Sequence, residues 1–148
     1  WINLPLLEYW KDPYAYSSYL MYNDFLVYIN NEKTHSASQL YKSNLLSLNN
    51  FLIVWSNIDK VISPVESSRF EFYNISLAEE RKELEIVSLE KTRSYIEDRL
   101  GLQSLMLKNK LSIEAYQCEH EQFKHPDCFT KKFDGKEMSL IDLTISLL

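Results

Sequence analysis

Glycine is nearly absent. The 148-residue sequence holds two, Gly101 and Gly135. It therefore contains no G-x-S-x-G elbow, no G-x-G-x-x-G loop and no Walker loop, each of which needs glycine where the backbone turns sharply or meets a ligand closely. A phosphate cradle or a nucleophile elbow would have to lie outside this sequence. Excess basic charge is missing too. Lys and Arg number 16 against 21 Asp and Glu, a net charge of −5, which leaves no electrostatic footprint for nucleic acid. The apolar-rich stretch "MSLIDLTISLL" is too short for a transmembrane segment. The opening "WINLPLL" lacks the basic region and the full apolar stretch of a signal peptide. These absences point to a soluble chain that is the downstream part of something longer.

What is present is globular. Hydrophobic residues make up 45% and aromatic residues 14%, enough for a packed core in one domain. "EYWKDPYAY" is an aromatic turn segment marked by Asp12-Pro13. In "SSYLMYNDFLVYINNE", the spacing of Leu20, Met21, Phe25, Tyr28 and Ile29 predicts one helix, opened by Ser17 or Ser18. "SASQLYKSNLLSLNN" predicts a second, with Leu40, Asn44, Leu45 and Leu48 on one face and an end at Asn49-Asn50.

"FLIVW", residues 51–55, is different: continuous, apolar, β-branched and aromatic. Such a run reads as a strand buried on both faces of a parallel sheet, and a helix before it fits an α/β fold. Ser63-Pro64-Val65-Glu66 reads as a capping box with Pro at the first helical position. "SLEKTRSYIEDRLGLQSL" predicts a helix with Leu89, Thr92, Tyr95, Ile96 and Leu100 on one side and Gly101 at its left-handed end. "KLSIEAYQCEH" alternates Leu111, Ile113, Ala115 and Gln117 and predicts a strand, with Tyr116 outside the alternation. The charged runs "AEERKELE" and "KNK" read as solvated faces or loops.

Two strands thus deliver Asp59 and His120 near their C-terminal ends, where open α/β sheets build their sites. In α/β-hydrolases the triad runs Ser, then Asp or Glu, then His, so a nucleophile is expected upstream of Trp1. An Asp at a strand end also reads as merely solvated.

The stretches "EYWKDP", "FLVYINNE", "YKSNLLSLNNF", "DKVISPVESSRFEFY" and "YIEDRLGL" resemble, in the same order, the C-terminal half of the palmitoyl-protein thioesterases, which are lysosomal α/β-hydrolases. The resemblance runs from about residue 8 to residue 128 and leaves 129–148 as a divergent tail. It implies hydrolysis of long-chain fatty-acyl thioesters, on an S-palmitoylated protein or peptide or an acyl-CoA, with no cofactor and no metal. Asp59 then matches the triad acid and His120 the triad base. The nucleophile and oxyanion donors would come from upstream, and the chain alone is expected to be inactive. Ser63, Ser67 and Ser68 are substitutes within the sequence, but they belong to the capping segment. The resemblance further implies an apolar slot for the fatty chain, with Leu20, Phe25, Leu26 and Ile29 as candidates, and a lysosomal or secreted location. Three departures stand out: Ser63 replaces an Asp, His125 lies one residue farther from His120, and the tail matches nothing in the family.

"CEHEQFKHPDC" places Cys118, His120, His125 and Cys128 in a C-x-H-x4-H-x2-C pattern. Such a set reads as a zinc site, as two free thiols, or as a disulfide that staples the loop carrying His120. The resemblance favours the Cys118–Cys128 disulfide. So does the sequon Asn74-Ile75-Ser76, a glycosylation acceptor of the oxidising secretory route. Against the hydrolase stands a reading of another class: a non-catalytic half-fold or a Cys/His zinc-binding interaction module.

Overall fold

β-branched and aromatic side chains suit a pleated strand, and the run at 51–55 forms one. In the computed structural model, β1 spans Phe51–Ser56 and pairs in parallel with β4, Leu111–Tyr116. Residues 9–125, 128 and 137–146 are described; the opening "WINLPLL" and positions 129–136 and 147–148 of the tail lie outside them. The ladder runs in register from Phe51 opposite Leu111 to Ser56 opposite Tyr116. Parallel neighbours need a crossover. Here it holds a 3-10 turn (Val65–Arg69), β2 (Phe72–Tyr73), α4 (Ile75–Arg81), β3 (Ile86–Val87), α5 (Arg93–Ile96) and α6 (Leu102–Leu107). Among the described residues, α1 (Tyr16–Tyr22), α2 (Leu26–Ile29) and α3 (Ser38–Leu46) precede β1, and α7 (Leu140–Ser146) follows β4.

Alternation along the strands divides the core. Phe51, Leu111 and Ile113 pack against Leu89, Tyr95, Leu100 and Leu102, joined by Leu45 of α3. Leu52, Val54 and Tyr116 face the other way, toward Cys118, Cys128 and Leu143 of α7. Helices therefore cover both faces of a parallel sheet, as expected of an α/β chain and of part of an α/β-hydrolase fold. Tyr116 obeys the alternation after all. Its partners on the second face come from the disulfide and the tail helix.

Burial of β1 is less complete than its apolar run implies. Ile53 and Ser56 are buried, while Phe51, Leu52, Val54 and Trp55 are half-buried. Among the described residues the sheet has two strands, so each keeps an open edge.

The expected helices are broken into shorter pieces. "SSYLMYNDFLVYINNE" divides at Asn23, whose Oδ1 accepts from the N–H groups of Phe25 at 3.1 Å and Leu26 at 2.7 Å and so caps α2. Its buried side is Tyr19, Asn23 and Val27; Met21, Phe25, Tyr28 and Ile29 face solvent. α3 stops at Leu46, before Asn49-Asn50, with Leu40 and Leu48 exposed. Pro64 precedes a 3-10 turn that receives no side-chain cap from Ser63. The stretch 88–107 folds as a 3-10 turn, α5 and α6, because Asp98 (φ 49°) and Gly101 (φ 89°) are left-handed. Gly101 opens α6 instead of closing the helix before it.

Candidate active site

β1 ends at Ser56, and the next turn returns Asp59 N–H to the Ser56 carbonyl at 3.3 Å. Asp59 Oδ1 accepts from the N–H groups of Val61 (2.8 Å) and Ile62 (3.2 Å). This local turn fixes the carboxylate plane and leaves Oδ2 aimed across the sheet end. β4 ends at Tyr116, and four residues later His120 opens a 3-10 turn, His120–Lys124. Glu119 and Gln122 cap that turn reciprocally, side chain to backbone.

The two loops meet at the acid and the base. His120 Nδ1 lies 2.8 Å from Asp59 Oδ2. The Asp59 side chain is 6% exposed and that of His120 40%. Burial pushes the Asp59 carboxyl up, but hydrogen bonds from His120, Val61 and Ile62 outweigh it and hold the group below its ordinary value. An ionised carboxylate only accepts, so Nδ1 carries the proton of this bond; in the neutral imidazole Nε2 then presents the lone pair. Among the described residues, Nε2 has no hydrogen-bond partner. Three more ties join the loops. Gln117 Nε2 donates to Asn57 Oδ1 at 2.6 Å, Cys118 N–H donates to Ser56 Oγ at 3.3 Å, and Lys60 lies 3.6 Å from Glu119. The last pair is exposed and contributes little. Sequence reading missed Ser56, Asn57 and Gln117; the available signal was the switch from apolar to polar residues at the end of each strand.

Cys118 and Cys128 are joined, with Cα atoms 5.5 Å apart. With both sulfurs in that bond, the Cys/His pattern offers no thiolate for zinc. His125 is exposed, and Pro126 and Asp127 lie outside the described residues. Ser63, Ser67 and Ser68 stand around the 3-10 turn and make no hydrogen bond to His120. Asn74 caps α4, its Oδ1 accepting from Leu77 N–H at 3.4 Å.

A cavity of about 720 Å³ opens beside this turn, lined in part by Trp10, Leu26, Ser63, Ser67, Phe70 and Asn74. Of the four residues expected to line an apolar slot, Leu26 lies on its wall, whereas Phe25 and Ile29 face solvent. Charge also lines it: Lys11 pairs with Glu32 at 2.5 Å. Burial, with the Glu32 charge beside it, pushes the Tyr16 hydroxyl up to about 12.

The sequence profile of the palmitoyl protein thioesterase family matches residues 3–120. Palmitoyl-protein thioesterase 3 of Dictyostelium discoideum is 38% identical over 124 residues, 84% of this chain and 40% of that protein. Lysosomal thioesterase PPT2-B of Xenopus laevis is 39% identical over 111 residues, 75% of this chain and 36% of the relative. Lysosomal thioesterase PPT2 of Homo sapiens is 29% identical over 106 residues, 72% and 33% of the two chains. The chain thus spans 40% or less of the length of these relatives. With the family profile covering both strands of the parallel sheet and reaching His120, the chain belongs to the palmitoyl-protein thioesterase family of α/β-hydrolases.

Proposed function

We propose that this chain supplies the acid and base of a Ser-Asp-His triad that hydrolyses long-chain fatty-acyl thioesters. The 2.8 Å hydrogen bond between His120 and Asp59 carries the reading. His120 Nε2 takes the proton of a serine hydroxyl as the serine oxygen attacks the thioester carbonyl. Asp59 keeps the proton on Nδ1 and stabilises the imidazolium. The carbon–sulfur bond then breaks, and the imidazolium gives its proton to the departing thiolate. Water, activated by the same imidazole, releases the fatty acid and restores the serine.

The nucleophile and the oxyanion donors belong to a segment outside this sequence, because no G-x-S-x-G elbow occurs in it. The chain alone should therefore turn over no palmitoyl thioester above background, and its open sheet edges should promote association. The substrate class is a fatty-acyl thioester, on a protein, a peptide or coenzyme A. Location in the lysosome follows the named relatives, with secretion as the other outcome of the same route, and Asn74 is the glycan acceptor. The family-like part of the chain runs to about residue 128 and the divergent tail follows it; α7 of that tail packs its Leu143 into the same core.

Asp59→Asn and His120→Ala, each made in the complete protein, test the assignment. Each should lower kcat/KM for a palmitoyl thioester by about 10³-fold or more with the circular dichroism unchanged. Near-normal turnover by either folded variant overturns it.

A further inference from the structure

We propose that Ser56 is a positioning residue for the Asp59–His120 pair; the proposal rests on the catalytic reading above. Ser56 is the last residue of β1, 1% exposed, and stands opposite Tyr116, the last residue of β4. Both strands end at this level, so beyond it no ladder holds the two loops in register.

The Ser56 hydroxyl takes over that task. Its Oγ accepts from the N–H of Ile58 at 3.2 Å and from the N–H of Cys118 at 3.3 Å. The first donor lies one residue before Asp59, and the second lies two before His120. One buried oxygen thus binds the backbone of both loops, and its two lone pairs suit two donors. The bond to Cys118 is buried, whereas the Asn57–Gln117 tie beside it is exposed. Water can replace the exposed tie. Removal of the hydroxyl leaves the Cys118 N–H without an acceptor in a dry place, which favours a shift of that loop. The disulfide anchors Cys118 to Cys128 and not to β1, so it does not prevent that shift.

Ser56 touches neither reacting atom, so its effect passes through the separation of Asp59 and His120. A misplacement on the order of 1 Å at a reacting group costs about 10²-fold in rate. Ser56→Ala should therefore lower kcat by roughly 10- to 100-fold and leave KM within about twofold.

The test compares Ser56→Ala, Ser56→Thr and Ser56→Val in the complete protein. Thr keeps the hydroxyl, and Val matches the shape of Thr without it, so packing strain cancels between the two. Steady-state kinetics on a palmitoyl thioester are read beside the downfield proton NMR signal of His120 Nδ1–H. Ser56→Thr should retain both the rate and the signal, while Ser56→Val and Ser56→Ala lose rate and show the signal broadened or moved upfield. Equal kinetics and equal signals for Thr and Val would overturn the proposal. Loss of folding in Val alone would make the hydroxyl a fold determinant and would also count against it. Should Asp59→Asn and His120→Ala keep their activity, the catalytic reading fails, yet the NMR comparison still decides whether Ser56 sets the pair.

Discussion

Lys42 holds Asp98 at two points: its ammonium donates to the Asp98 carbonyl at 2.5 Å and lies 2.9 Å from carboxylate Oδ2. The same carboxylate accepts from Ser104 Oγ at 2.6 Å and Ser104 N–H at 3.2 Å. α3 is thereby joined to the turn between α5 and α6, where Asp98 keeps a left-handed backbone. Burial pushes the Asp98 carboxyl up, and the hydrogen bonds from Ser104 and Lys42 bring it below its ordinary value.

Asp98→Asn keeps a residue that tolerates this backbone and removes the charge. Urea unfolding at neutral pH should show a loss of roughly 1–3 kcal/mol. The folded carboxyl titrates below the unfolded one, so as pH falls the unfolded state binds the proton first. The wild-type advantage should be full above about pH 5 and should shrink as pH falls through about 4 and below. A gap that stays constant down to acid would refute the ion pair as its source.

Gly101 has two reasons to be glycine. Its φ is 89°, and a Cβ there would lie 2.7 Å from Leu46 Cδ2. Gly101→Ala should cost roughly 1–3 kcal/mol, read as a lowered urea midpoint with an unchanged slope. A midpoint equal to wild type would mean that neither constraint holds in solution.

The disulfide closes a short loop around His120. Non-reducing digestion and mass spectrometry of secretory-pathway material should find Cys118 and Cys128 in one linked peptide pair. Reduction should cost about 2–3 kcal/mol of stability. Two free thiols in native material, or one bound zinc, would remove the staple from the account.

Asn74→Gln, expressed through the secretory route, should migrate at the mass of the glycosidase-treated wild type. Wild type and variant of identical mass before treatment would show that the sequon is unused.

The sheet and the pair at its end were legible in sequence; the helix boundaries were not. "FLIVW" marks its own strand by β-branched and aromatic side chains, and the alternation of Leu111 and Ile113 marks a second; that the two pair side by side in parallel is seen in the structure. Asp59 and His120 stand out because each is a titratable residue just past such a run. The long helices failed where tertiary contacts override periodicity. Asn23 spends its carbonyl oxygen on two backbone N–H groups, and Lys42 holds Asp98 left-handed from another helix. Tyr116 looked misplaced because the residues that cover it, Leu143 among them, are distant in sequence. Ser56 gave no periodic signal, since its role lies in a bond to Cys118 across 62 positions.

Labelling of the nucleophile tests the catalytic reading most directly. The complete protein would be treated with a long-chain alkyl fluorophosphonate, digested, and its modified peptide sequenced by mass spectrometry. One serine outside the 148 residues should carry the adduct, and His120→Ala should abolish the labelling. An adduct on Ser63, Ser67 or any other serine of this sequence, or labelling that survives the loss of His120, would contradict it.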